Sequence, residues 1–117
     1  MARGGARTYD DDNVMDIIGM FHFDTDLSKS KIDHFLDGFP ENMRYAEEKE
    51  EFLGVMVYTL DNGFTNFEKR HLLKALKFID EILSDEEYED SFDYSWWPYR
   101  QEQLEREEAM IKELFDQ

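Results

Sequence analysis

The residues that could carry out catalytic chemistry are few and lie far apart along the chain. The three histidines, His22, His34 and His71, stand singly, and there is no cysteine to act as a nucleophile. The sequence also lacks a glycine-rich phosphate loop, a serine flanked by glycines and an HExxH zinc motif. Lone histidines in a folded chain are more often structural or surface residues than ligands or general bases. The sequence therefore predicts a protein that is not an enzyme and has no cofactor.

The segment DTDLSKSKIDHF, residues 24–35, spaces its first oxygen-bearing side chains, Asp24 and Asp26, as a calcium-binding EF-hand loop does. Such a loop needs glycine at its sixth position for a sharp turn and glutamate at its twelfth to complete the coordination. Lys29 and Phe35 stand at those two positions, and lysines inside the loop would repel a dication. We therefore expect a polar connection with helix-capping residues and no metal site.

Acidic side chains dominate the rest of the chain. The 29 Asp and Glu residues against 13 Lys and Arg give a net charge of -16, which exceeds what solubility requires of a small domain. Charge of this size destabilises a compact state by self-repulsion. It also disfavours direct binding to nucleic acid or to an anionic membrane, since both present phosphate. The composition therefore predicts a basic protein as the partner.

The length and composition indicate one folded domain. A chain of 117 residues can bury one core, and 41% apolar with 15% aromatic residues is too rich for a disordered chain. The absence of cysteine excludes disulfides, and the sequence contains neither an apolar leader nor an apolar run long enough for a membrane span. We expect a cytoplasmic protein with a flexible tail at residues 1–9 and a helical domain at residues 10–117.

Apolar spacing predicts an all-α, single-domain bundle of about five helices. The expected helices are about 12–22, 29–37, 41–60, a fourth capped by Thr65 or Asn66 and running to Leu83, and a last one opened by Pro98. The run FLGVMVY would also suit a strand, but no partner strand is evident, so we assign it to the third helix. Ser84 with Glu87 resembles a capping box and allows a short irregular helix towards Tyr94.

The basic residues concentrate on the fourth predicted helix. Arg70, Lys74 and Lys77 share one face there, at spacings of four and three residues. In so acidic a chain we expect this face to be neutralised by acidic neighbours on other helices. Contact with nucleic acid through these residues would have to overcome the field of the whole chain.

The candidate partner-binding residues lie where the most acidic run meets the two tryptophans. They are Asp85, Glu86, Glu87, Glu89, Asp90, Asp93, Tyr94, Trp96 and Trp97. Aromatic residues frequently anchor interfaces, whereas dispersed charge sets association rate and salt dependence. The Trp-Trp-Pro segment would equally suit a core position, so we expect one tryptophan to be buried and the other partly exposed. The carboxylates on the third and last helices are expected to form solvated faces.

Our first hypothesis is an inhibitor that imitates nucleic acid. Sixteen charges match about 27 Å of duplex DNA, and a helix of about 20 residues spans about 30 Å, so the third and last helices are long enough to present such an array. In size and composition, though in no motif, the chain is similar to phage proteins that block restriction or CRISPR enzymes by DNA mimicry. Such a protein would act in the host cytoplasm. The alternatives are an antitoxin or immunity-type protein that neutralises a basic toxin or nuclease, and a structural helical homodimer.

Overall fold

Six α-helices form the regular structure of the protein in a computed structural model that describes residues 12–90 and 97–117. They are α1 (Asp12–Met20), α2 (Lys29–Asp37), α3 (Ala46–Asp61), α4 (Lys69–Leu83), α5 (Glu86–Asp90) and α6 (Trp97–Phe115). No strand occurs within these ranges. The prediction of an all-α, single-domain bundle is confirmed. The structure has one helix more than the five predicted from the sequence. The additional helix is the short α5, in the segment where the sequence allowed a short irregular helix.

The core is built around α3. Every residue from Phe52 to Val57 is buried, because α1 and α4 both pack against this helix. A helix that is apolar on all sides is a buried one, which explains why this run also resembled a strand. Gly54 allows the close approach of α1, since a Cβ at this position would lie 2.5 Å from Cγ1 of Val14.

A row of phenylalanine rings fixes α2 against α3 and α4. Phe35 contacts Phe39 at 5.2 Å between ring centroids, Phe39 contacts Phe52 at 5.5 Å, and Phe52 contacts Phe78 at 5.2 Å. All three contacts are edge-to-face, the arrangement that the charge distribution of aromatic rings favours. The row runs from the end of α2 through α3 into α4 and thereby joins three helices.

Two contacts show how the long helices are oriented. Lys49 Nζ near the start of α3 lies 3.4 Å from Glu81 Oε1 near the end of α4. Lys69 Nζ at the start of α4 lies 5.2 Å from the ring centroid of Phe115 at the end of α6. Each of these neighbouring pairs is therefore antiparallel. The first turns of α3 and α6 consequently lie at the same end of the bundle, beside α5.

Three helix boundaries differ from the sequence prediction. α3 begins at Ala46 rather than near residue 41, because residues 38–45 form a connection whose backbone carbonyls bind lysines of α4. α4 begins at Lys69 with Glu68 at its N-cap, so the predicted caps at Thr65 and Asn66 are wrong. The chain before it is held by other contacts, since the ring of Phe64 packs on that of Phe67 at 4.9 Å. α1 ends at Met20, two residues early, where His22 adopts a positive φ of 60°. The predicted tail at residues 1–9 lies outside the described residues.

Candidate partner-binding site

Helix α5 depends on its cap and its surroundings. Asp85 caps it, because its Oδ1 accepts hydrogen bonds from the backbone N–H groups of Glu87 at 3.0 Å and Tyr88 at 3.3 Å. Ser84 is instead the C-cap of α4, so the predicted capping box is wrong by one residue. A helix of five residues is too short to be stable alone in water, so tertiary contacts must hold it in place.

Tyr88 supplies those contacts. Its side chain is buried, and its ring meets that of Trp97 edge-to-face at 5.9 Å between centroids. Arg100 Nε donates a hydrogen bond of 2.9 Å to the Tyr88 hydroxyl. Burial raises the pKa of the Tyr88 phenol well above its ordinary value, and the nearby Glu50 carboxylate adds to this against the opposing effect of Arg100. The phenol therefore stays protonated.

Arg100 joins this contact to α3. Its side chain has no exposed surface, and its Nη2 lies 3.7 Å from Oε2 of Glu50, which is also buried. Removing one partner of a buried ion pair leaves an uncompensated charge and is strongly destabilising. Glu107 on α6 is fully buried as well. The prediction that the carboxylates of the third and last helices form only solvated faces is therefore wrong for Glu50 and Glu107.

We name the surface around α5 and the first turn of α3 the acidic end. Its exposed carboxylates are Glu47, Glu48, Glu86, Glu87, Glu89 and Asp90. None of these six forms an ion pair with a residue in the described part of the chain. Within residues 12–90 and 97–117, these six charges therefore face solvent without an ion-pair partner.

A cavity of about 200 Å³ opens within the acidic end. It lies between the start of α3 and the start of α5, with Glu47, Asp85 and Glu87 in its wall. Tyr45 stands beside it with 56% of its surface exposed, and the guanidinium of Arg44 lies 5.7 Å from the centre of the Tyr45 ring. The acidic end thus combines negative charge with an accessible aromatic ring, the residue type that frequently anchors interfaces.

The structure places some of the predicted site residues together. Asp85, Glu86, Glu87, Glu89 and Asp90 all belong to α5 or its cap. Trp97 opens α6 and is partly buried against the core. Asp93, Tyr94 and Trp96 lie outside the described residues, so the expected contrast between the two tryptophans stays a prediction.

Sequence reasoning missed two parts of this site. Tyr45 and Arg44 were assigned to the interior of a helix, whereas Tyr45 is the N-cap of α3 and is exposed. Arg100 was not singled out, although a signal was present. It precedes Leu104 by four residues, so it lies on the buried stripe that continues through Glu107 and Ile111. A charged residue on an apolar stripe indicates a buried ion pair.

A second region of the molecule is the contact between α4 and α2 with the connection after it, which we name the paired face. Arg70 donates hydrogen bonds from Nε and Nη2 to the two carboxylate oxygens of Asp37, at 3.1 and 3.0 Å. His71 Nε2 donates to Asp37 Oδ1 at 2.6 Å, and its Nδ1 lies 3.6 Å from Asp33 Oδ1. The hydrogen bonds from Arg70, and then that from His71, hold the pKa of Asp37 well below its usual range. His71 therefore joins α4 to α2 through Asp37. Because its ring is fully buried, the ring is not accessible to a substrate.

The lysines of the paired face bind backbone rather than carboxylates. Lys74 Nζ donates to the carbonyl of Phe39 at 2.7 Å, and Lys77 Nζ donates to that of Glu41 at 2.7 Å. These carbonyls lie in the connection after α2, outside any helix, so the lysines supply donors that no helical N–H group provides. The predicted compensation by acidic neighbours is therefore confirmed for Arg70 and wrong for Lys74 and Lys77, which bind uncharged carbonyls of the connection after α2.

The segment that resembled an EF-hand loop is a helix entry. Asp26 Oδ1 accepts the backbone N–H of Ser28 at 3.1 Å, and the second half of the segment is α2. No group of three or more His, Cys, Asp or Glu side chains placed to hold a metal ion occurs within residues 12–90 and 97–117.

Comparison of the chain with protein-family models, with curated proteins and with solved structures gives no match. Among the helices that the structure describes, none has the length and apolar character needed to cross a bilayer. The fold and the site therefore define only a class of protein. It is a small helical bundle whose acidic end carries exposed carboxylates without an ion-pair partner among the described residues.

Proposed function

We propose that this is an acidic binding protein that inhibits or sequesters a nucleic-acid-binding protein by occupying its basic groove. Carboxylates of the acidic end would take the place of phosphates. One observation carries the proposal: the exposed carboxylates of α5 and of the first turn of α3 have no ion-pair partner among the described residues. A cytoplasmic location, where such partners act, belongs to the same proposal.

The shape of the acidic surface narrows the original hypothesis. α3 exposes carboxylates only in its first turn and at Asp61. The continuous array of carboxylates that the hypothesis expected along this helix is therefore not there. α6 has 19 residues, about 28 Å at the helical rise, and exposes Glu102, Glu105 and Glu113, with the exposed Asp116 directly after its end. The geometry therefore supports a contact at the acidic end rather than a duplex imitated by two parallel helices.

The test compares two variants of equal charge. In one, Glu86, Glu87 and Glu89 of the acidic end become Gln. In the control, three exposed carboxylates in or just after α6 that form no described ion pair are neutralised: Glu105→Gln, Glu113→Gln and Asp116→Asn. Both variants and the wild type are used as bait in host lysate at low and moderate salt, and captured proteins are identified by mass spectrometry.

We expect a basic, nucleic-acid-binding protein to be captured by the wild type and by the control but lost by the acidic-end variant. Capture should weaken steeply with salt, because ionic contacts are screened. Equal loss by both variants would contradict the proposal, since net charge alone would then explain binding. Capture that is insensitive to both salt and the variant would contradict it as well.

A second candidate is an immunity-type protein that neutralises a basic toxin or nuclease beside its active centre. The exposed Tyr45 favours it, because a single accessible aromatic ring next to a cavity suits a specific protein contact. If the partner keeps its nucleic acid in a ternary complex, the result favours this candidate. If the nucleic acid is displaced, the result favours mimicry. Tyr45→Ala should weaken the immunity-type contact more than a purely ionic one.

A further inference from the structure

We propose that Arg100, the Tyr88 hydroxyl and Glu50 form a buried positioning cluster that holds α5 against the start of α3, so that the two segments present one rigid acidic surface. The proposal goes beyond the overall charge of that surface and concerns how the surface is held. Its functional consequence rests on the proposed function, since the surface matters only if a basic partner binds there.

Repulsion opposes this arrangement. α5 carries four carboxylates in five residues, Glu47 adds one more across the cavity, and the exposed Glu48 follows it in α3. Like charges at this spacing repel, and a single-turn helix contributes little stability of its own. Something buried must therefore oppose the separation of α5 from α3.

The buried contacts of Arg100 meet this requirement. One edge of its guanidinium donates to the Tyr88 hydroxyl at 2.9 Å, and Nη2 lies 3.7 Å from the Glu50 carboxylate. Tyr88 is the buried residue of α5, and Glu50 lies in the second turn of α3. A single cation on α6 therefore contacts both acidic segments from the inside, where low polarity strengthens the attraction.

Other contacts act within α5 or through Tyr88. Asp85 caps the helix from within the same segment, and the Tyr88 ring meets that of Trp97 edge-to-face. The Tyr88 hydroxyl also hydrogen-bonds the Glu50 carboxylate, so this one group connects α5 to both α6 and α3. Loss of the Tyr88 hydroxyl should thus release α5 locally while the contacts among α3, α4 and α6 persist.

The experiment deletes one hydroxyl. Tyr88→Phe keeps the ring on Trp97 but removes the hydroxyl that accepts the Arg100 hydrogen bond and contacts the Glu50 carboxylate. Tyr45→Phe is the matched control, because it deletes the same group from an exposed tyrosine at the same cavity. Amide hydrogen exchange is followed by NMR for α5 and for the buried segment of α3, and the affinity of each protein for a deca-arginine peptide is measured at one fixed salt concentration.

In Tyr88→Phe we expect exchange at the α5 amides to rise by about tenfold, exchange within Phe52–Val57 to stay unchanged, and affinity for deca-arginine to fall by about threefold. Tyr45→Phe should leave exchange unchanged both in α5 and within Phe52–Val57. Unchanged α5 exchange, or an equal rise in α5 and the core, would overturn the positioning role. Released α5 with unchanged affinity would also overturn it.

A separate result tests the proposed function. If the wild type binds deca-arginine no more tightly than the variant with Gln at 86, 87 and 89, the acidic end is not a basic-partner surface, whatever the exchange data show. Exchange therefore tests how α5 is held, and the charge variant tests what the surface binds.

Discussion

The paired face and the acidic end treat charge in opposite ways. At the paired face, Arg70, Lys74 and Lys77 each meet a carboxylate or a carbonyl of α2 or the connection after it. At the acidic end, exposed carboxylates have no such partners among the described residues, and the one cation that contacts both segments, Arg100, is buried beneath them. The charged side chains of the paired face join helices. Those of the acidic end point to solvent, and the buried Arg100 contacts the two segments that carry them.

The difference separates structural charge from charge that a partner could use. Where removal of a charged side chain would break a contact between helices, stabilisation of the fold explains why the charge is there. A group of carboxylates that raises self-repulsion without stabilising any described contact requires another explanation, and binding of a basic protein provides one. Substitutions on the two surfaces should accordingly affect different properties.

The largest effect is expected at the buried cation of the acidic end. Arg100→Met leaves the Glu50 carboxylate buried without its cation, and we expect the free energy of unfolding to fall by about 3–5 kcal/mol. Arg106→Met on the same helix is the control, because Arg106 is exposed and pairs with Glu102 at 2.7 Å; it should change stability by no more than about 0.5 kcal/mol. Urea unfolding measures both, and similar losses would show that burial of Arg100 is unimportant.

A smaller loss is expected at the paired face. Lys74→Met removes a part-buried hydrogen bond to the Phe39 carbonyl and should cost about 1.5–3 kcal/mol. Lys77→Met removes a bond of equal length to the Glu41 carbonyl, but in an exposed position, and should cost about 0.5–1.5 kcal/mol. Chemical denaturation ranks the two. An inverted order would contradict the view that these lysines stabilise the connection after α2 in proportion to their burial.

The paired face should also set the acid limit of stability. The depressed pKa of Asp37 means that its contribution is fully present above the ordinary aspartate value of 3.8 and is lost as pH falls below it. Asp37→Asn should therefore be less stable than the wild type at pH 6, and the difference should shrink as pH decreases through 4. Thermal unfolding across this range tests the sign. A difference that grows on acidification would contradict the assignment.

The smallest effect on stability is expected from neutralising the acidic end. Glu86, Glu87 and Glu89 form no described ion pair, so their replacement by Gln removes repulsion and some favourable charge at the start of α5. We expect the free energy of unfolding to stay within about 0.5 kcal/mol of the wild type. A loss of about 2 kcal/mol or more, seen by urea unfolding, would mean that these carboxylates are structural, and the contrast between the two surfaces would disappear.

Much of the fold followed from local patterns, while most of the site did not. α2 matches its predicted bounds because Ile32 and Leu36 are spaced for one buried face and Gly38 ends the helix. The start of α3 was misplaced because Lys74 and Lys77, more than 30 residues away, bind the connection before it. The acidic run at α5 was visible in the sequence. Its union with the first turn of α3 was not, because it depends on the antiparallel packing that brings Arg100 to Glu50.

Displacement of nucleic acid tests the central claim most directly. The basic protein captured by the wild type is bound to a fluorescently labelled nucleic acid that it recognises, and the acidic protein is titrated in while anisotropy is recorded at low and moderate salt. The account predicts release of the nucleic acid by the wild type and by the α6 control variant, weaker at higher salt, and little release by the variant with Gln at 86, 87 and 89. Binding without release, forming a ternary complex, would contradict the claim that carboxylates of the acidic end replace phosphates.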